Sequence, residues 1–184
     1  DAPNRFIINV QPDQVRGVGQ RLHEAGIEAE LHPMIRGRLI RINGKAVGPE
    51  SYTEDRAQRL VDREFNLSYA IEAPGHNRIV AGAWFKDGSD ELSIEEGIAK
   101  TLGIKLGDEM TFDIAGQTVS ARATSLRKVN WDSMRANFFV MMPPSLLADR
   151  PASFISAFHL PESKSGLTGE LLREFPNLTV IDTT

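Results

Sequence analysis

The stretch that decides the fold is residues 6–26, FIINVQPDQVRGVGQRLHEAG, where a short apolar run leads directly into a helical pattern. The β-branched run 6–10 predicts a buried strand, while Pro12 and the acidic Asp13 are typical of the first turn of a helix. Apolar residues then recur every three to four positions up to Gly26. This spacing predicts one helix with a single buried face.

The rest of the two ends extends this pattern. Residues 27–42 predict extended chain, which completes a β-α-β half of a split ferredoxin-like fold. The tail repeats the order, with strands predicted over 137–142 and 153–160, a helix over 163–175 and a closing strand over 178–181. Two such halves bury their apolar faces best against each other.

The middle of the chain has a different pattern of predicted elements, which indicates a mostly-β insertion. Residues 51–63 predict a loop with a helical turn, and Ser93-Ile94-Glu95-Glu96 predicts a capping box that starts a helix ending at Gly103. Ala115-Gly116 predicts a hairpin turn between two strands.

The predicted fold class is therefore α+β with two subdomains. The first, built from 1–45 and 136–184, is the split ferredoxin-like βαβ…βαβ unit. The second, 46–135, is inserted between its halves.

Composition narrows the class of protein. The 184 residues are 41% hydrophobic and 25% charged, which is typical of a folded protein with its own core. A net charge of −4 argues against nucleic-acid binding, and the absence of cysteine excludes thiol chemistry. The longest apolar run, 138–142, is far shorter than the ~20 residues that cross a bilayer. A start at Asp1 rather than Met predicts a processed protein or an excised fragment.

Catalytic and metal-binding patterns are missing from the sequence. The four histidines, His23, His32, His76 and His159, have no partner at zinc-ligand spacing. The chain has no nucleophile elbow, phosphate-binding loop or dinucleotide fingerprint. The sequence therefore predicts a protein that is not an enzyme and that binds no cofactor or metal.

Two segments predict a surface for a partner or a lipid. In 34–44 arginines alternate with apolar residues, which places Arg36 and Arg38 on one exposed face, although the same pattern fits an edge strand blunted by charge. In 125–139, Arg127, Trp131 and Arg135 are the residue types that anchor interfaces. A tryptophan at the junction of two subdomains is the alternative there.

Several short runs, in order along nearly the whole chain, resemble the YbbP branch of the FtsX/MacB-like ABC transporter permeases. The runs are FIINVQPDQV (6–15), IRGRLI (35–40), ING (42–44), EFNLSY (64–69), NRIVAG (77–82) with Trp84, RKVNWDSMRANFF (127–139), MPP (142–144), FHLP (158–161) and FPNLTVID (175–182).

The resemblance implies a MacB-like periplasmic core, with a porter-like subdomain built from the two ends and a sabre-like subdomain inserted between them. It further implies a position between two membrane spans, on the periplasmic face of the bacterial inner membrane. The implied partners are the transmembrane part of the same permease, a cytoplasmic ATPase subunit and a periplasmic TesA-type lysophospholipase/thioesterase. The implied role is non-catalytic: transmission of ATP-driven motion, recruitment of a substrate or partner, or both, in lipid or hydrophobic-compound handling.

Rival functions stay open at this point. A free-standing periplasmic module for an amphipathic ligand would need an apolar pocket of a few hundred Å³, as ligand sites generally do. A small hydrolase would show esterase activity that depends on one Ser or His. A nucleic-acid role would need aromatic residues on a basic sheet.

Overall fold

The computed structural model describes residues 1–184 and contains five α-helices and eleven strands. The chain divides into two compact units. Unit 1 comprises Asp1–Met34, Trp131–Asn137 and Ala152–Thr184, and unit 2 comprises Ile35–Asn130 and Phe138–Pro151. The α+β class predicted from the sequence is confirmed.

Unit 1 is a four-stranded antiparallel sheet with two helices. Its strands lie in the order β11-β1-β10-β2, so β10 separates β1 from β2 and β1 separates β10 from β11. The elements of unit 1 are β1 (Arg5–Val10), α1 (Val15–Glu24), the start of β2 (His32–Ile42), β10 (Ser153–Phe158), α5 (Leu167–Glu174) and β11 (Thr179–Asp182).

The core of unit 1 joins one face of the sheet to the two helices. Val18 and Leu22 of α1 are four residues apart and both buried, as the helical spacing predicts. They belong to one apolar cluster with Ile7 of β1, Phe158 of β10 and Leu171 of α5. Removing such side chains from water is the main force that holds the helices on the sheet.

Unit 2 is built around a closed ring of six strands. The ring order is β2-β4-β9-β6-β8-β7 and back to β2. The β4–β9 and β6–β8 pairs are parallel, and the other four are antiparallel. The strands that complete the ring with β2 are β4 (Glu64–Tyr69), β6 (Glu91–Glu95), β7 (Glu109–Ile114), β8 (Gln117–Val129) and β9 (Val140–Met142).

The remaining elements of unit 2 lie outside the ring path. Strand β5 pairs with β8, and β3 pairs with β2. These elements are β3 (Lys45–Ala46), α2 (Asp55–Val61), β5 (Asn77–Gly82), α3 (Glu96–Leu102) and α4 (Pro144–Leu147).

Local turn chemistry supports the ring at two places. Ala115 and Gly116 both have positive φ, 51° and 88°, as a tight turn between twisted strands requires, which confirms the predicted hairpin between β7 and β8. Gly37 of β2 lies so close to β4 that an added Cβ would come within 2.8 Å of Leu67. Any side chain at position 37 would therefore force the buried Leu67 side chain to move.

Three local predictions need correction. The segment 51–63, predicted as a loop with a helical turn, contains a longer helix, α2, whose Ala57 and Val61 are buried. Helix α3 is capped by Glu95, whose carboxylate accepts hydrogen bonds from the amides of Gly97 and Ile98; Ser93 lies inside β6. The strand predicted over 137–142 is only Val140–Met142 and pairs within the ring.

The predicted boundaries of the two subdomains, 1–45 with 136–184 and 46–135, stay a prediction. The two compact units differ from them because residues 35–42 of β2 pair with β4 and β7, and because β9 pairs with β4 and β6.

Candidate functional site

Arg36 and Arg38 lie on the exposed face of β2, as the alternation of the sequence predicts. Arg38 stands directly opposite Glu64 on one side and Asp113 on the other, and its guanidinium donates a hydrogen bond to the Asp62 carbonyl at 2.7 Å. Cross-strand partners share a face of the sheet, so Arg38 is flanked by two carboxylates. Arg36 is opposite Asn66, which carries no charge, so its β4 partner does not neutralise its positive charge as Glu64 does for Arg38.

A bulge in β2 extends this basic face. Leu39 pairs with Phe112 and Arg41 with Thr111, so Ile40 is the extra residue. One extra residue reverses the alternation, and Arg41 therefore lies on the same face as Arg38.

Trp131 and Arg135 belong to a short exposed loop that groups with unit 1. Trp131 begins a turn of 3₁₀ helix and is 51% exposed, and Arg135 is exposed as well. Between them Met134 has φ 61° and is 37% exposed. A left-handed conformation at a non-glycine residue costs about 1–3 kcal/mol, and such residues cluster at functional sites.

The predicted surface residues therefore form two pairs that belong to different units. Arg36 and Arg38 are in unit 2, and Trp131 and Arg135 are in unit 1. Each pair therefore defines a separate candidate surface.

Arg127 requires a correction, because it is completely buried in unit 2 and does not lie on an exposed surface. Its Nε donates to Ser93 Oγ at 2.9 Å, and one terminal nitrogen donates to Asn77 Oδ1 at 2.7 Å. The other donates to the carbonyl oxygens of Phe138 at 2.8 Å and Phe139 at 3.0 Å. One guanidinium thus joins β8 to β6, to the start of β5 and to the chain entering β9.

Arg127 stays protonated although its side chain is buried. Removal from water lowers its pKa to about 10, and the nearby carboxylate of Glu95 acts in the opposite direction. The group is therefore a cation at neutral pH, as its four hydrogen bonds require. Such bonds from an ionised donor are about twice as strong as neutral ones.

A cluster that the sequence did not indicate lies at one end of the unit 1 sheet. The backbone amide of Thr183 donates to the Asn4 carbonyl at 3.0 Å, so these residues lie side by side although they stand near opposite ends of the sequence. Next to them Arg5 forms an ion pair with Asp182 at 3.1 Å. We call Asn4, Arg5, Leu160, Asp182 and Thr183 the terminal clasp.

Asn4 is the centre of the terminal clasp. Its side-chain amide donates to the Leu160 carbonyl at 3.2 Å, and its side-chain oxygen accepts from the Leu160 amide at 2.7 Å. The carboxylate of Asp182 accepts from the side chain and backbone of Thr184, which lower its pKa, and Arg5 adds a smaller lowering effect.

Two surface grooves run beside α1 and α5 in unit 1. The larger, of about 590 Å³, is lined by Leu167 and Leu171 together with Arg21, Glu170, Arg173 and Glu174. Arg21 and Glu174 form an ion pair of 2.6 Å. The second, of about 540 Å³, shares Leu167 and Glu170 with the first. Charged side chains predominate in the larger groove, which differs from the mostly apolar lining of typical ligand pockets.

None of the helices is long and apolar enough to cross a membrane.

Comparisons with known proteins place the chain. Over 183 residues it is 40% identical to the ABC transporter permease YbbP of Escherichia coli (strain K12), and the aligned part covers 99% of this chain and 22% of that protein. The chain thus spans less than a quarter of the length of this relative. No protein-family model matches the chain.

A crystal structure of a permease domain from Porphyromonas gingivalis shows a more distant likeness. It is 13% identical with a TM-score of 0.46, and the match covers 98% of this chain and 91% of the other. From the sequence match, the chain corresponds to a domain of an ABC transporter permease. That permease is of the YbbP type, which confirms the resemblance found in the sequence runs.

Proposed function

We propose that the chain is the periplasmic domain of a YbbP-type permease and that it has no catalytic activity of its own. Its role is to transmit ATP-driven motion, to recruit a substrate or a periplasmic partner, or both, in the handling of lipids or other hydrophobic compounds. The observation that carries this proposal is 40% identity to such a permease over 99% of the chain.

The same match supports the first two of the proposed partners, and the family resemblance implies the third. They are the transmembrane part of the same permease, a cytoplasmic ATPase subunit and a periplasmic TesA-type lysophospholipase/thioesterase. The proposed location is the periplasmic face of the inner membrane. The adjacency of Asn4 and Thr183 supports attachment at one place, because both residues lie at the same end of the unit 1 sheet.

The finer fold proposal is a porter-like subdomain with a sabre-like insertion. The strand order of unit 1 supports the first part, because each β-α-β half has its two strands separated by one strand of the other half. We propose the ring of unit 2 as the counterpart of the sabre-like insertion.

The test of the proposed function replaces residues 5–182 in the full-length permease by a short Gly-Ser linker. The two junctions are already adjacent, so the linker needs to span only a few residues. We expect the shortened permease to assemble with its ATPase subunit and hydrolyse ATP, but to lose transport and capture of the periplasmic enzyme. Full transport and capture by the shortened permease would refute the proposal.

Arg36, Arg38, Trp131 and Arg135 are our proposed contact residues. A pull-down of the periplasmic enzyme compares Trp131→Ala Arg135→Ala with Arg36→Ala Arg38→Ala, using the exposed Arg122→Ala as control. We expect at least one double variant to lose most of the binding while Arg122→Ala keeps it. Equal binding by all three variants would remove these residues from the proposal.

A further inference from the structure

The terminal clasp fixes two distant parts of the sequence to each other. Arg5 is directly opposite Asp182 in the β1–β11 pair, and the pairing continues through Phe6 and Ile181 to Ile8 and Thr179. The Arg5–Asp182 ion pair and the bond from the Thr183 amide to the Asn4 carbonyl close this end of the ladder. Residues 4 and 183 therefore lie at the same end of the unit 1 sheet.

The same strand pair is also tied at its other end. Asn9 and Asn177 exchange reciprocal hydrogen bonds, each side-chain amide donating to the other residue's carbonyl, at 3.0 and 2.9 Å. Gln14 donates to Asn177 Oδ1 at 2.7 Å. Segments 4–9 and 177–183 are thus joined by hydrogen bonds at both ends and in between, and we expect them to move together.

A third segment anchors this pair to the rest of unit 1. β1 pairs with β10 on its other side, and the Asn4 side chain makes two bonds to the backbone of Leu160, just beyond β10. Ile7 and Val10 of β1 are completely buried in the core beneath the helices.

This arrangement responds differently to two kinds of displacement. Ladder bonds of an antiparallel pair run perpendicular to the strands, so drawing residue 4 away from residue 183 loads them one after another from the clasp inward. Moving both residues together along β1 loads all the β1–β10 bonds and the buried core side chains at once. The fold therefore transmits a common displacement as a unit, whereas separating the ends would open the β1–β11 pair bond by bond from the clasp inward.

We propose that the two attachments of this domain move as one during the transport cycle, so that the domain is driven as a single lever and its ends never separate. This inference rests on the proposed function and adds to it the direction of the motion.

The test is a disulfide between the two ends. The chain has no cysteine, and Arg5 and Asp182 are cross-strand partners whose Cα separation, about 4.5–5.5 Å for such pairs, is within the range of disulfides. Arg5→Cys Asp182→Cys is introduced into a full-length permease without other cysteines, assembled with its ATPase subunit. Ile8→Cys Thr179→Cys is the matched control, because it links the same two strands at the far end of the pairing.

We expect oxidised Arg5→Cys Asp182→Cys permease to keep ATP turnover and transport within twofold of its reduced form. A tenfold loss on oxidation, restored by reductant and absent from the control, would show that the ends separate and would overturn the proposal. A reversible loss in both variants would also overturn it, because β1 and β11 would then rearrange during the cycle. The linker replacement reports on the proposed function independently, since it removes the domain rather than locking its ends.

Discussion

Replacing Arg127 by methionine should strongly destabilise unit 2. Methionine fills much of the same volume but donates no hydrogen bond. The Phe138 and Phe139 carbonyls lose the donor they share, although the Phe139 carbonyl keeps the Glu95 amide at 2.8 Å. The hydroxyl of Ser93 keeps its bond from Ser125, and Asn77 loses one partner.

The magnitude follows from these lost partners. A hydrogen bond from a charged donor contributes about 1.5–3 kcal/mol net, and Arg127→Met removes four such bonds, whose contributions do not simply add. We therefore expect Arg127→Met to lower the free energy of unfolding by about 3–5 kcal/mol, as for other broken buried charge networks. Arg127→Lys should fall between methionine and the native protein, because one ammonium cannot reach three separate directions.

The assay is equilibrium unfolding in urea, followed by circular dichroism and tryptophan fluorescence. Arg122→Met is the matched control, because Arg122 lies on the same strand but is exposed and donates only to the Gly107 carbonyl. Its expected cost is below about 0.5 kcal/mol, as for most surface substitutions. A cost for Arg127→Met no larger than that of Arg122→Met would refute the reasoning.

Three further substitutions test single contacts. Gly37→Ala should cost about 1–3 kcal/mol in urea unfolding, because its Cβ would come within 2.8 Å of Leu67; an unchanged midpoint would contradict this close packing. Ser156→Ala should leave the melting temperature unchanged or raise it, because the buried Ser156 Oγ has no hydrogen-bond partner, and a clear drop would contradict that. The pKa of Asp108 is lowered, and the largest cause is the hydrogen bond from the Asn43 side chain. The ionised carboxylate should therefore contribute its full stabilisation above pH ~4, and this contribution should be lost as the pH falls through the folded-state pKa. Unfolding of Asp108→Asn and native protein from pH 2 to 7 should show the two curves converging at low pH; a gap that stays constant would contradict the assignment.

The sequence was most informative where local pattern sufficed. The run 6–10, the spacing of Val18 and Leu22, and the positive-φ turn at Ala115-Gly116 each predict an element from neighbouring residues alone, and these elements were confirmed. The exposed face of Arg36 and Arg38 was also predictable, because alternation along a strand has a fixed period.

Arg127 shows where that reasoning failed although a signal existed. In β8 the residues at 119, 121, 123, 125, 127 and 129 are all buried, and the same alternation places Arg127 among them. Its charge favoured a surface prediction, because a buried arginine is rare unless it is paired. Its partners come from three other segments, and no local pattern shows that Asn77, Ser93 and Phe138 will surround one guanidinium.

By itself the sequence determined the α+β class, most of the strands and the match to a YbbP-type permease, because these depend on residue order and local periodicity. The tertiary structure alone decided that six strands close into a ring, that Arg127 is buried, and that residues 4 and 183 are adjacent. The reason is that pairing between distant strands depends on how all the apolar faces are buried together, and a short stretch of chain does not contain that information.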